Sequence, residues 1–385
     1  MAKRGHGEGT IVRHKKTGKW MAQASIGYDH EGKLKRITKY FETRKEAQDW
    51  LAKVQHEKNT GQFVEPDRIT VAEWVARYLE TYVKPKVRPT SYSNYHDALR
   101  LHIIPAIGHI PLQSLKTHMI QDFYNQKAET LSAWMIHRIH QILNGALKQA
   151  VRERLIPNNP AEYTVRPSIK RKEMAVLSPE EVDRYLEAAR NDRLYPAFLL
   201  ELTTGLRRGE LLALTWDCID FAKGTLTVKK SLTRVRYVEE GRTRLEMTDP
   251  KTESSKRLIP LLPEVIQELR RLKKKQAEER LFFGQAYQDN NLVFAQENGK
   301  PIDPRTFDRR HKAILKKAGL KHVRVHDLRH TVATILIQEG ENPENLRDLL
   351  GHTRTSTTLD LYCHSTMEGK KKAVERLKAV LSQLQ

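Results

Sequence analysis

The stretch V-H-D-L-R-H-T-V-A-T-I-L-I-Q-E-G-E-N-P-E-N-L-R-D-L-L-G-H-T-R-T-S-T-T-L-D-L-Y, from Val325 to Tyr362, predicts three short helices that deliver four polar side chains. Leu328, Val332, Ile335 and Leu336 recur at helical spacing and bury one side of a first helix. His326 and Arg329 stand at i and i+3, so they project from one face of it and are expected toward solvent. Gly340 ends that helix, and Asn342 followed by Pro343 reads as an N-cap with proline at the first helical position of a second. Leu346, Leu349 and Leu350 form its buried side, and Gly351 suits a left-handed C-terminal cap that turns the chain and presents His352. The Ser/Thr run from Thr355 to Thr358 starts a third helix carrying Leu359 and Tyr362.

The chain around this stretch has 385 residues, enough for two or three domains, and a formal net charge of +21. That balance predicts attraction to polyanions, nucleic acid first. An anionic membrane surface is the rival, but no apolar run approaches the roughly 18 residues of a spanning helix, and Met1 to Thr10 holds no signal-peptide core. Cys218 and Cys363 are far apart and lack a C-x-x-C partner, which supports neither a disulfide framework nor a zinc ribbon and fits a reducing cytoplasm.

Thr10 to His14, Trp20 to Tyr28 and Leu34 to Phe41 read as strands separated by turns, followed by a helix capped by Thr43 with Glu46 closing a capping box. This three-stranded sheet plus helix carries Arg13, Lys15, Lys16, Lys19, Lys35 and Arg36 as candidate DNA contacts, a β-sheet in the major groove being one known reading mode. The bland alternative is a solvated charged surface. After a linker near Thr60 to Asp67, helices are expected at Thr70 to Tyr82, Ser91 to His102, Met119 to Ala128 and Leu131 to Arg154. Pro157 to Pro167 and the basic triplet Lys170, Arg171 and Lys172 form a second connector, suited to enclosing a duplex; a nuclear localisation signal is the other reading of the triplet. The expected domains are therefore 1–62, 63–166 and 167–385 in a multidomain, mainly α protein with small β-sheets, an α+β class. In the last domain Ser178 to Glu181 is another capping box, Thr203 to Glu210 interrupts an apolar helical region, and strands are expected at Thr225 to Val228, Arg244 to Thr248 and Leu258 to Leu261. Lys251 sits just before a turn at Thr252 to Ser255.

A DNA phosphodiester gives these residues a common task. Attack at phosphorus loads charge on the non-bridging oxygens, which the guanidinium forks of Arg207 and Arg329 can bind, while His326 and His352 donate hydrogen bonds or manage protons. A phenol with a pKa near 10 needs such help to act as a nucleophile, and an ammonium such as Lys251 can protonate the departing sugar oxygen. Attack by Tyr362 leaves a phosphotyrosine that stores the energy for rejoining, so neither ATP nor a metal cofactor is required.

The motifs T-G-L-R-R-G-E-L around Arg207, D-P-K-T around Lys251, H-D-L-R-H around His326 and Arg329, L-G-H at His352 and T-T-L-D-L-Y-C-H around Tyr362 resemble those of the phage-integrase family of tyrosine recombinases. The likeness points especially to integrases of bacteriophages and integrative conjugative elements. It implies the six residues Arg207, Lys251, His326, Arg329, His352 and Tyr362 as catalytic, Tyr362 as nucleophile, with Glu210 orienting Arg207. It also implies that the first domain is an arm-type DNA-binding module, the second a helical, SAM-like core-binding domain, and the third a mixed, mostly helical catalytic domain. The expected activity is integration and excision of a mobile element through a 3′-phosphotyrosine. The expected partners are double-stranded attachment sites of core and arm type, a homotetramer on DNA, an excisionase and a host DNA-bending protein, in a bacterial cytoplasm with no membrane. Ala373, Leu377, Val380, Leu381 and Leu384 form an apolar stripe on the last helix, which by pattern can fold back on its own core and which the resemblance assigns to docking on a neighbouring subunit. A type IB topoisomerase shares the chemistry but has no evident use for the arm module, and a non-catalytic DNA-binding regulator on the same fold is the other alternative.

Overall fold

The computed structural model describes residues 9–28, 31–61, 63–169, 174–249 and 256–351. Lys251, the Thr252 to Ser255 turn, the Lys170 to Lys172 triplet, His352, the third helix with Tyr362 and the C-terminal stripe lie outside the described residues. The chain divides into two compact units, Met1–Lys170 and Arg171–Gln385.

The first unit opens with an antiparallel sheet of order β1-β2-β3, in which β1 is Thr10–Arg13, β2 Trp20–Tyr28 and β3 Leu34–Phe41. Helix α1, Arg44–Asn59, starts at the expected Thr43/Glu46 capping box and covers one face. Period-2 alternation sends Ala22, Ala24, Ile11 and Ile37 toward Leu51 and Val54 of that helix. The opposite parity places Met21, Gln23 and Ser25 beside Tyr40, Thr38 and Arg36 on the open face.

A helical region follows: α2 Val71–Tyr78, α3 Pro89–Ala98, α4 Ile104–Ile107, α5 Thr117–Ala128 and α6 Ala133–Arg152. The continuous helices expected over 70–82 and 91–102 instead widen into π turns at Leu79–Val83 and Leu99–Ile103. Each π turn stops two residues before a proline, Pro85 and Pro105. A proline offers no N–H to the carbonyl four residues back and its ring crowds that carbonyl, so the preceding turn opens. Trp74 is fully buried against α6, and its Nε1 donates to the Ala146 carbonyl at 2.8 Å, so the indole finds an acceptor inside the core.

The second unit contains α7 Pro179–Ala189, α8 Tyr195–Thr204 and α9 Arg208–Leu212. A small antiparallel sheet joins β4 Ile219–Asp220, β5 Thr225–Thr227 and β8 Leu258–Pro260, while β6 Ser231–Tyr237 and β7 Arg242–Thr248 form a separate hairpin. Then come α10 Pro263–Phe283, α11 Pro304–Lys317, α12 Val325–Gln338 and α13 Pro343–Leu350. Asn342 caps α13 and Gly351 ends it at φ 64, as the sequence pattern requires. Tyr185, Phe198 and Phe307 centre the core, with the Phe198 and Phe307 rings 4.7 Å apart. No described helix is long and apolar enough to cross a membrane.

Glu201 on α8 breaks the apolar pattern of that core. It is fully buried, and neither carboxyl oxygen finds a hydrogen-bond partner among the described residues. Burial pushes its pKa well above the ordinary 4.5, against the pull of Arg208 and Arg329. The folded chain therefore holds this proton where the unfolded chain releases it. The associated stability is fully present below the unfolded value and is lost as pH rises toward the folded one. Glu201→Gln should raise Tm at pH 7.5 and raise it less at pH 4.5. Equal gains at the two pH values in thermal melts would show that packing, not ionisation, is at issue.

Candidate active site

The site is built at the ends of helices. Gly205 ends α8 at φ 62 and Gly351 ends α13 at φ 64, both in the left-handed region where glycine carries no side-chain penalty. Helix ends leave carbonyls without intrahelical donors. Three arginines supply them to α13 in succession: Arg257 Nε donates to Leu349 O at 2.7 Å, Arg329 Nη2 to Leu350 O at 2.6 Å, and Arg207 Nη2 to Gly351 O at 3.0 Å. Arg329 also donates through Nη1 to Gly205 O at 2.7 Å, so one guanidinium joins the ends of α8 and α13.

This corrects the expected orientation of α12. His326 is exposed, but Arg329 is 1 % exposed. The i, i+3 spacing puts both on neighbouring positions, and the helix-end carbonyls then draw the longer side chain inward, where they satisfy its donors.

Arg207 precedes α9, whose third residue is Glu210. Glu210 Oε1 accepts from Arg207 Nη1 at 2.7 Å and Oε2 from the Arg207 backbone N–H at 3.1 Å. Its Oε2 also accepts from Arg257 Nη2 at 2.9 Å, a pair whose side chains are 6 % and 4 % exposed. Burial alone would raise the Glu210 pKa, but Arg257 and then Arg207 outweigh it and hold the carboxylate ionised below its ordinary range. The Arg207 side chain remains 35 % exposed, so its guanidinium is fixed at one edge and open at another.

His326 lies in the first turn of α12, edge-on to His330, with ring centroids 4.7 Å apart. Removal from water, then the positive charges of Arg329 and Arg207, hold its pKa below the usual histidine value. The buried His330 is pushed to about 4 by burial and by His326. Asp327 fixes the start of the helix: it accepts from the Arg324 backbone N–H at 2.8 Å and from Arg324 Nη2 at 2.7 Å. Behind it, His311 Nε2 donates to the Val323 carbonyl at 2.9 Å, since a carbonyl can only accept. That leaves Nδ1 to accept from the Tyr185 hydroxyl at 2.8 Å, a neutral imidazole bracing α7, α11 and the entry to α12.

Arg207, His311 and His326 line a cleft of about 1050 Å³ bounded by the β6 residues Ser231 to Arg234, α11 and the start of α12. Sequence reading missed the α11 wall. Arg305, Arg309 and Lys312 lie at i, i+4 and i+7, all exposed and all on the cleft, a spacing that was visible in the sequence. Arg257 was missed as well, since it only precedes the strand expected at Leu258 to Leu261. Of the six expected catalytic residues, the structure brings together Arg207, His326 and Arg329; Lys251, His352 and Tyr362 fall outside the described residues.

Among the expected DNA contacts of the first unit, Lys15, Lys16 and Arg36 are exposed, Arg36 on the open sheet face. Lys19 pairs with Glu42 at 2.5 Å, Lys35 pairs with Glu65, and Arg13 Nε closes the β1–β2 turn on Gly18 O at 3.2 Å. Lys170, Arg171 and Lys172 are outside the described residues.

The profile of the phage integrase family matches residues 175–369, about half of the chain and including this cleft. The chain belongs to the phage integrase family of tyrosine recombinases. Profiles of the phage integrase N-terminal SAM-like domain and of an arm DNA-binding domain match residues 70–128 and 10–58. A tyrosine recombinase XerC-like protein of Caldanaerobacter subterraneus is 31% identical over 367 residues, covering 92% of this chain and 94% of that protein. The ICEBs1 integrase of Bacillus subtilis is 28% identical, covering 96% and 100%. Among solved structures, the Tn1549 transposon integrase in complex with circular intermediate DNA superposes with a TM-score of 0.68 at 24% identity, covering 80% of this chain and 99% of that one. A lambda integrase from a tetramer bound to a Holliday junction gives 0.59 at 19% identity, covering 95% and 99%. Both share the fold.

Arg257 reaches neither the cleft wall nor solvent, yet it holds Glu210, which holds Arg207. Arg257→Ala should lower unfolding free energy by roughly 3–5 kcal/mol, the range for stranding one partner of a buried pair. It should also reduce DNA cleavage in the fraction that remains folded. A urea-unfolding change below about 1 kcal/mol would show that the pair is solvated and that Arg207 does not depend on it.

Proposed function

We propose that this phage integrase family member is a site-specific DNA recombinase that integrates and excises a mobile element by strand cleavage and rejoining. The observation that carries the reading is the convergence of Arg207, Arg329 and His326 beside one cation-lined cleft, joined to the motif spacing that adds Lys251, His352 and Tyr362. Arg207 presents an open guanidinium edge to a non-bridging phosphate oxygen, and Arg329 supports it with a buried charge. His326, its pKa lowered, is neutral at pH 7 and can accept or donate a proton. The Tyr362 oxygen attacks phosphorus, its proton passing to a base such as a histidine. The bond from phosphorus to the 5′ oxygen breaks, and Lys251 protonates that oxygen. A 5′-hydroxyl then attacks the 3′-phosphotyrosine and restores the phosphodiester, conserving its energy without a nucleotide.

The rest of the reading follows the family. Residues 1–62 form an arm-type DNA-binding domain, 63–166 a SAM-like core-binding domain and 167–385 the catalytic domain with a C-terminal exchange helix. Core and arm attachment sites are the DNA partners, and four copies assemble on them with an excisionase and a host DNA-bending protein, in a bacterial cytoplasm. The relatives from integrative elements and the matched arm domain favour this over a topoisomerase.

Tyr362→Phe should keep DNA binding and form no covalent adduct on a nicked suicide substrate resolved by denaturing electrophoresis. A shifted band with that variant means another residue attacks. Lys251→Ala should slow cleavage of ordinary DNA far more than cleavage of a 5′-bridging phosphorothiolate, because sulfur leaves without a proton. Equal loss on both substrates assigns Lys251 some other task.

A further inference from the structure

Arg138 lies in the second turn of α6, and its guanidinium sits over two aromatic rings at once. It is 5.4 Å from the centre of Trp134 on the same helix and 5.7 Å from that of Tyr95 on α3. Such contacts are worth most where the cation is shielded from water, and here both rings flank a half-buried side chain. Among the described residues Arg138 has no hydrogen-bond acceptor and no carboxylate partner. A planar fork set beside two rings, with its donors unspent, has less rotamer freedom left for binding to remove.

The surroundings indicate what the fork meets. Helix α6 runs for 20 residues without one carboxylate, while it carries Arg138, Lys148 and Arg152. Trp134 is 55 % exposed one turn before Arg138, and Gln141 is exposed one turn after it. An arginine fork in the first turns of an electropositive helix, with an exposed aromatic and an amide on the same face, matches the pattern that reads base edges in a major groove. Guanine offers two acceptors, O6 and N7, at the spacing of two guanidinium N–H groups.

We infer that Arg138, set beside the rings of Trp134 and Tyr95, is a specificity-determining residue of the helical region and reads one guanine of the core DNA site. Phosphate contact is the competing use of a cation, and it differs in outcome: it lowers affinity on all sequences alike. The inference rests on the recombinase reading above.

The test is selection of binding duplexes from a randomised pool by the full chain and by Arg138→Lys and Arg138→Ala. Lysine keeps the charge and the ring contact but cannot form the fork. The intact chain should enrich a motif with one guanine that both variants relax by about ten- to a hundredfold, the range for one bidentate base contact. The other positions should remain fixed, and a cooperative thermal melt of Arg138→Lys should match the parent. A motif unchanged in the lysine variant, or an affinity lost evenly at every position, overturns the inference and leaves the recombinase reading standing. If the intact chain enriches no motif at all, the recombinase reading falls, and this inference with it.

Discussion

The catalytic unit depends on an exchange between helix ends and buried guanidinium groups. A glycine-capped helix exposes carbonyls that the helix itself cannot satisfy, and an arginine taken out of water needs acceptors for its fork. Leu349, Leu350 and Gly351 offer three successive carbonyls, and Arg257, Arg329 and Arg207 each take one. Arg329 adds the Gly205 carbonyl, so the ends of α8 and α13 are tied to the middle of α12 by one side chain. Neither half of this arrangement is stable alone: without the arginines the carbonyls are orphaned, and without the helix ends a 1 % exposed guanidinium has lost its water for nothing.

The same exchange sets the electrostatics. Carbonyls satisfy guanidinium donors while leaving the net charge in place, whereas a carboxylate would neutralise it. Arg329 donates to the Gly205 and Leu350 carbonyls, and Glu201 nearby is pushed toward its neutral form. The ionised Glu210 is shared between Arg257 and Arg207, which leaves one net positive charge across the three groups. That field lowers the pKa of His326 and extends along the α11 wall through Arg305, Arg309 and Lys312. A cleft of this sign concentrates a polyanion before any specific contact forms.

Much of this was legible in the sequence, for local reasons. The capping boxes at Thr43 and Ser178, the asparagine cap and glycine stop of α13 and the three N-terminal strands follow from chemistry within a few residues, and the structure has them where the pattern put them. The Arg207 and Glu210 contact is likewise local, at i and i+3. What the sequence hid was non-local. The inward course of Arg329 depends on carbonyls 124 and 21 residues away, and Arg257 matters through Glu210, 47 residues away. The π turns before Pro85 and Pro105 were hidden differently: apolar periodicity continues through them, and only the missing proline donor marks the change.

The local and non-local contacts of Arg207 also divide between two tasks. Arg207 spends Nη1 on Glu210 and Nη2 on Gly351, and each bond fixes a different thing. The first orients the fork toward the cleft. The second binds the carbonyl of the peptide whose nitrogen belongs to His352, so the chain leaves α13 from a point held by the same side chain that faces the cleft. A guanidinium has five N–H donors, and two directional bonds leave others for an anion. Arg207 thus joins the cleft to the end of α13 at Gly351, with Glu210 as the support that fixes its fork.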